Sequence, residues 1–314
     1  MDNINISFLK VLRRLSQIAC KPPQCLDAFT CQGADNVSSL ISERILSNRP
    51  LMIARFGANE LSCLVNYLSV ISEKHDWKGY LKGTSAEWWW NEGIVYNMKN
   101  NAGFFPTTNE NLLKFGELML HDIGQLDILA SWLSYEKKLG PRLDGVIKVP
   151  LTDIEPSHAQ EPWTQNLKEK KVLVVHPFAD TIKYQYENHR EDLYDNKKIL
   201  PRFASLQIVR AVQSIGGSSK YKDWFEALDW MKCEIDKLDY EVCLIGCGAY
   251  GFPLAAHVKG RGKKAVHWGG SLQLLFGIKG GRWDKENMYN DNWIRPLNSD
   301  LTRALSKVED GCYI

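Results

Sequence analysis

The sequence has no long apolar run, no cysteine motif and no excess of charge of one sign. No apolar run approaches the roughly 18 residues that span a membrane, so we expect no transmembrane segment. The 39 basic and 37 acidic residues nearly balance, which argues against a nucleic-acid partner because such proteins carry a strongly basic surface. The eight cysteines include no CxxC pair, so we expect reduced thiols, no structural zinc and a cytoplasmic location.

The first patterned segment, residues 6–19, is amphipathic and predicts a helix. Such a helix either docks on its own domain or a partner, or lies peripherally at the inner face of the membrane. We expect residues 1–36 to form this helix and an irregular connection, and residues 37–314 to form a single folded domain. The apolar face comprises Phe8, Leu9, Leu12, Leu15 and Ile18, and the basic residues are Lys10, Arg13 and Arg14.

The rest of the chain alternates short apolar strands with helical periodicity. This alternation over short loops predicts an α/β, Rossmann-like fold with a mostly parallel sheet and helices on both faces. The segment 128–133 is either a strand or the start of a helix. The other predicted strands are 51–56, 145–149, 171–175, 205–209, 240–245 and 264–267, and the predicted helices include 36–45, 59–71, 112–123, 224–238 and 252–261.

A glycine-rich turn follows the strand 240–245 and opens a helix, in the pattern GxGxxG. Ligands of parallel sheets bind at the carboxyl ends of strands, and such a turn can cradle a phosphate at a helix N-terminus. The alternative is a turn that serves only close helix packing. We predict nucleotide-binding roles for Gly246, Gly248, Tyr250 and Gly251.

A dinucleotide site would also need an acidic residue at the end of the next strand, about 20 residues on. That position holds His267, Trp268 and Gly269. The missing carboxylate argues against NAD and leaves a diphosphate or nucleotide. We assign His267, Gly269 and the following Gly270 to the same nucleotide site.

Two further strand ends carry polar side chains. Arg55, Gly57, Asn59 and Glu60 follow the first strand, where they could bind a diphosphate, a metal or an acceptor hydroxyl. Glu60 could instead serve only to stabilise a helix N-terminus.

After the strand 171–175, Asp180 is a candidate base or an ordinary helix N-cap, and Lys183 a candidate phosphate ligand. Lys279 and Arg282, in a glycine-rich segment, either close over a donor's phosphates or belong to a solvated basic loop.

Three segments of the chain resemble a known family. RFGANE at 55–60, VLVVHPFADTIKYQY at 172–186 and IGCGAYGFPLAAHVKGRGKKAVHWGG at 245–270 are similar to GT-D type glycosyltransferases from bacterial surface-polysaccharide gene clusters. The resemblance extends over about residues 37–312. It implies a Rossmann-like glycosyltransferase domain that transfers a sugar from a nucleotide-sugar donor to a glycan acceptor, which can be lipid-linked, in O-antigen or capsule synthesis.

The resemblance also implies a divalent metal near an Asp-x-Glu within RFGDGE. Here Ala58 and Asn59 replace the aspartate and the glycine, and Glu60 remains. Losing one hard oxygen ligand should weaken binding of Mn²⁺ or Mg²⁺. Glu60 or Asp180 would be the catalytic base. The alternatives are a non-catalytic nucleotide-sugar-binding subunit, which the change at Ala58 favours, and another nucleotide-dependent Rossmann enzyme.

Overall fold

A computed structural model describes residues 6–19, 26, 28–217 and 219–301. These residues build one seven-stranded sheet in which all neighbouring strands are parallel, in the order β3-β2-β1-β7-β6-β4-β5. The strands are β1 (Leu51–Ala54), β2 (Ile128–Ser131), β3 (Ile147–Pro150), β4 (Lys171–His176), β5 (Ser205–Arg210), β6 (Val242–Ile245) and β7 (Lys264–His267). The predicted α/β fold with a parallel sheet is confirmed.

Helices occupy most of the connections between the strands. In chain order they are α1 (Ile6–Ala19), α2 (Ala34–Leu46), α3 (Ala58–Val70), α4 (Trp77–Lys82), α5 (Glu92–Asn100), α6 (Asn109–Ile123), α7 (Ala179–Asn188), α8 (Trp224–Asp236), α9 (Gly251–Gly260) and α10 (Leu272–Leu275). The predicted helix at 36–45 begins two residues earlier and ends one later. The ambiguous segment at 128 is a strand.

Alternate residues of each central strand face opposite cores. In β4, Leu173 and Val175 belong to a core formed with α3, α6, α8 and α9, while Val172 and Val174 belong to a second core that includes α2 and α7. A strand with two buried faces reads as a continuous apolar run, as KVLVV does. Helices therefore cover both faces of the sheet, as predicted.

The strand order contains a topological switch between β4 and β6. The chain leaves β4 through α7 towards β5 at one side, and leaves β6 through α9 towards β7 at the other. Because α7 and α9 pack on opposite faces, a crevice opens at the carboxyl ends of these two strands. Ligands of open parallel sheets bind at such a crevice.

The N-terminal helix α1 packs against α4. Leu9 is buried, and the Arg13 guanidinium pairs with Glu87 at 2.8 Å and lies over the Tyr80 ring. Phe8 and Leu15 are exposed, so the predicted apolar face is only partly covered. The side chain of Ile18 lies outside the described residues. In the part of the chain that the structure describes, no helix has the length and apolarity to cross a membrane.

Candidate functional site

A cavity lies over the carboxyl ends of β1, β2, β4, β5, β6 and β7. We call it the first cavity, and its volume is about 190 Å³. It contains the crevice at the β4/β6 switch and extends to the turns after β1 and β7. Most of the strand ends selected from the sequence therefore meet at one place. The lining includes Arg55, Glu60, Trp132, His176, Ser214 and Gly248.

Two glycines of the turn after β6 are required by packing. A Cβ at Gly251 would lie 2.1 Å from Cε1 of His267, and one at Gly246 would lie 2.7 Å both from the Gly269 carbonyl oxygen and from Cδ2 of His176. These neighbours are backbone or buried rings, which have little room to move. Gly251 does not line the first cavity and fits the packing interpretation of the glycine motif, whereas Gly246 also lines that cavity.

Gly248 has a different reason to be glycine. Its φ is +58°, in the left-handed region, and a Cβ there would meet no atom within 4 Å. The residue lines the first cavity, just before the 10-residue helix α9. The backbone is thus presented to the cavity without a side chain, as close approach to an anion requires.

The turn after β1 is built around Glu60. Gly57 is the N-cap of α3, and a Cβ there would lie 2.0 Å from Oε2 of Glu60. The carboxylate therefore folds back over Gly57 from the first turn of the helix. Glu60 is only 8% exposed, although it lines the first cavity together with Asn59.

Hydrogen bonds fix the backbone carbonyls of this turn. Nη1 of Arg55 donates to the Phe56 carbonyl at 3.1 Å, and the Trp132 indole N–H donates to the same oxygen at 2.8 Å. The Tyr135 hydroxyl donates to the Ala58 carbonyl at 2.9 Å. The Arg55 guanidinium also lies over the Trp132 ring at 5.4 Å. These contacts order the backbone of the turn from which Arg55 and Glu60 extend to the cavity wall.

Gly269 makes room for Arg55. Its φ is +74°, and a Cβ there would lie 2.5 Å from Nε of Arg55. Gly269 therefore contributes to the site by leaving space for the Arg55 guanidinium. The neighbouring Gly270 lines the first cavity directly.

Two buried histidines near the cavity are neutral. Burial lowers the pKa of His176 to about 3, and its Nδ1 accepts the Phe178 backbone N–H at 3.0 Å. Burial, and next the nearby Arg55, lower the pKa of His267 to about 3. His267 packs beneath Gly251 and does not line the first cavity, which His176 does.

Tyr250 forms part of the wall of the first cavity, where a hydrogen bond and a ring contact hold its side chain. The Ser214 hydroxyl donates to the Gly103 carbonyl at 2.6 Å, so the Tyr250 hydroxyl donates to Ser214, also at 2.6 Å. The Tyr250 ring stacks on Trp224 at 4.9 Å. This chain of contacts joins the turn after β6 to the segment after β5.

Asp180 lies outside the lining of the first cavity. Its Oδ1 pairs with the Arg210 guanidinium at 2.6 Å. A hydrogen bond from Ser299, with Arg210 adding to it, lowers the pKa of Asp180. Its backbone N–H, with that of Thr181, donates to the buried carboxylate of Asp300 at the start of α7. The surroundings of Asp180 are those of a structural ion pair.

The three predicted cations occupy different places. Arg282 lines the first cavity. Lys279 lies outside that lining, with its ammonium 5.7 Å from the Tyr289 ring centroid. Lys183 is exposed on α7 and also lies outside the lining.

A second cavity adjoins the first, over the ends of β2 and β3. Its volume is about 230 Å³, so it is comparable with the first. The two cavities share a wall formed by Arg55, Trp132, Gly270 and Arg282. Glu155 lines the second cavity and was not selected from the sequence, where 153–163 reads as a polar link. The feature of the sequence that could have indicated Glu155 is its position a few residues after a predicted strand.

The residues present give weak support to a protein-built metal site. Glu60 is the carboxylate in the lining of the first cavity, and Ala58 beside it offers no side-chain ligand. In residues 6–19, 26, 28–217 and 219–301, no group of three or more His, Cys, Asp or Glu side chains is placed to hold a metal ion.

No protein-family model matches the sequence, and no curated protein matches it. A solved structure described as a selenomethionine-substituted domain of unknown function 1792 aligns over 95% of this chain and 96% of its own, with a TM-score of 0.38 and 11% identity. The order and parallel pairing of the seven strands establish the α/β fold.

Proposed function

We propose that this chain transfers a sugar from a nucleoside-diphosphate sugar to a hydroxyl of a glycan acceptor, in the synthesis of a surface polysaccharide such as O-antigen or capsule. One observation carries the proposal: Gly248, a position without a side chain in the turn before helix α9, lines the same cavity as Arg55 and Arg282. A helix N-terminus and a guanidinium each stabilise a diphosphate. The resemblance to GT-D type glycosyltransferases supports sugar transfer over other nucleotide chemistry.

Several residues that line the first cavity have roles in this reaction. The turn at Gly248 binds the diphosphate, and Arg55 and Arg282 offset the negative charge that develops on it as the sugar departs. Glu60 and Asn59 face the same space and accept or donate hydrogen bonds to the sugar hydroxyls. His176, being neutral, adds no charge to the site.

Two other functions remain as alternatives. The change at Ala58 favours a subunit that binds a nucleotide-sugar without turning it over. A dehydrogenase or methyltransferase would use the same glycine turn, but β7 ends in His267 where a ribose-binding carboxylate would stand.

A ligand screen tests these alternatives. Purified protein is heated with UDP-, GDP-, CMP- and dTDP-sugars, NAD or S-adenosylmethionine, each with and without Mn²⁺. We expect one nucleotide-sugar to raise Tm, since a ligand that binds only the folded state stabilises it. A rise with NAD or S-adenosylmethionine alone would contradict the proposal. Hydrolysis of the bound nucleotide-sugar then separates an enzyme from a binding subunit.

Substitutions of cations inside and outside the first cavity test whether the donor binds there. Arg55→Ala and Arg282→Ala should each weaken donor binding by roughly tenfold or more, because a hydrogen bond to a charged group contributes about 1.5–3 kcal/mol. Lys183→Ala removes an exposed cation outside the cavity and should leave binding unchanged. Equal losses in all three variants would mean that only the net charge matters.

Helix α1 supports a peripheral location at the membrane. Phe8, Val11 and Leu15 form an exposed stripe, with Lys10 and Arg14 also exposed, a combination suited to an anionic lipid surface. A lipid-linked acceptor would be presented at that surface. Full-length protein should sediment with phosphatidylglycerol vesicles but not with phosphatidylcholine vesicles, and Phe8→Glu with Leu15→Glu should abolish sedimentation. If the double variant sedimented as well as the wild type, this face of α1 would not be the surface that binds the membrane.

A further inference from the structure

The second cavity presents a carboxyl group to a space suited to a sugar. Glu155 follows the 3-10 turn Leu151–Ile154 at the end of β3. The Trp163 indole N–H donates to the Ile154 carbonyl at 2.8 Å, and this bond fixes the backbone beside Glu155. The carboxyl therefore has a defined position at the edge of the sheet.

Two donors orient the Glu155 carboxylate. The Trp268 indole N–H donates to Oε1 at 3.1 Å, and Ser271 supplies a second side-chain hydrogen bond. Burial raises the pKa of Glu155 to about 7, and these two hydrogen bonds oppose the rise. His158, Tyr194 and Glu286 are the other titratable groups of the cavity that interact with it. The group can thus change protonation near neutral pH.

The remaining walls combine aromatic rings with hydroxyl groups. Trp132, which is 39% exposed, and Trp283 line the second cavity, as do Thr152 and Ser157. Indole rings pack against the apolar faces of sugars, and hydroxyl groups bond to sugar hydroxyls. The shared wall at Arg55 and Trp132 places this space beside the proposed donor site.

We propose that the second cavity binds the acceptor sugar and that Glu155 accepts the proton of the attacking hydroxyl. The inference rests on the proposed function and adds to it an acceptor site and a base. It differs from the expectation that Glu60 or Asp180 is the base. Glu60 lies on the donor side, and Asp180 is held by Arg210 and Ser299.

The transfer step requires no base other than Glu155. The acceptor oxygen forms a bond to the anomeric carbon of the donor sugar. The bond from that carbon to the diphosphate oxygen breaks, and its electron pair leaves with the diphosphate. The proton of the acceptor hydroxyl passes to Glu155 and later to solvent.

Hydrolysis of the donor tests this assignment without knowledge of the natural acceptor, because water can take the place of the acceptor hydroxyl. The probe is the nucleotide-sugar that gives the largest rise in Tm. Glu155→Gln should keep that rise and hydrolyse the donor at least about 100-fold more slowly, within the range for loss of a general base. The exposed Glu161→Gln, outside both cavities, should hydrolyse it at the wild-type rate.

The pH profile separates a catalytic role from a structural one. The wild-type rate should rise with pH around a midpoint near 7, and Glu155→Gln should lose that limb. Ser271→Ala removes a hydrogen bond that favours the carboxylate, so its midpoint should move to higher pH. Glu155→Asp should recover part of the rate.

The results that would contradict this inference differ from those that would contradict the proposed function. Donor binding with an unchanged rate and profile in Glu155→Gln overturns this inference alone, as does loss of the pH limb in Glu60→Gln with its retention in Glu155→Gln. Failure of every nucleotide-sugar to raise Tm in the wild type overturns the proposed function, and the acceptor site with it.

Discussion

The turns after β6 and β1 both depend on glycine, for opposite reasons. At Gly251 the space is taken by the buried ring of His267, which belongs to the scaffold. At Gly57 it is taken by the carboxylate of Glu60, the end of a flexible side chain that lines the first cavity. The first glycine supports the fold and the second positions a functional group. A glycine motif is therefore interpretable only through the atoms that occupy the place of its missing Cβ.

The largest effect should come from Gly251→Ala. Its methyl group would overlap the His267 ring, and overpacking of a core usually costs about 1–3 kcal/mol, so we expect a loss near 3 kcal/mol in the free energy of unfolding, measured with urea. Gly260→Ala is the control, because a Cβ there meets nothing within 4 Å. Equal urea midpoints for Gly251→Ala and wild type would show that His267 can move aside.

Acid should weaken the scaffold through the same histidine. The folded-state pKa of His267 is lowered to about 3, so the unfolded chain binds more protons between that value and the ordinary pKa near 6.5. Stability is therefore lost as pH falls through this window, by about 1.4 kcal/mol per pH unit for each such histidine. His267→Gln should show a shallower decline in urea titrations from pH 6.5 to 4.

Gly57→Ala should change binding more than stability. The new methyl group displaces the Glu60 carboxylate, which can rotate away, so we expect a stability loss below about 1 kcal/mol. Donor affinity should fall roughly tenfold, or about 1.4 kcal/mol. In a Glu60→Ala background, Gly57→Ala should weaken donor binding no further. An additive loss in the double variant would contradict the role given to Glu60.

Gly248→Ala should cost less stability than Gly251→Ala. No atom opposes a Cβ here, so only the left-handed backbone is strained, at about 1 kcal/mol. Gly248→Asn should cost less stability, since asparagine tolerates this conformation. Both side chains enter the first cavity, and both should weaken donor binding. Normal binding by Gly248→Asn would place the diphosphate elsewhere.

The parts of the molecule that sequence predicts well are those set by local pattern. The run KVLVV has two buried faces, and GxGxxG lies between a strand and a helix, so β4 and the turn after β6 followed from neighbouring residues alone. The motif did not reveal that a Cβ at Gly246 or Gly251 would meet a buried histidine ring, while one at Gly248 would meet no atom within 4 Å. That distinction depends on His176 and His267, which belong to other strands.

Long-range partners explain what sequence did not reveal. Asp180 stands at a strand end, as a catalytic residue would, but Arg210 and Asp300 reach it from 30 and 120 positions away. Glu155 lies in a polar segment without periodicity, and its environment comes from Trp268 and Ser271. Neither set of contacts can be predicted from the residues that adjoin Asp180 or Glu155 in the sequence.

The wall shared by the two cavities has a thermodynamic consequence. Arg282 is exposed and Arg55 is only partly buried, and both line each cavity. A ligand that immobilises these side chains on one side removes an ordering cost for a ligand on the other. Because linkage is reciprocal, occupation of either cavity must change the affinity of the other by the same factor. Two adjoining cavities are thus expected to fill as a cooperative pair.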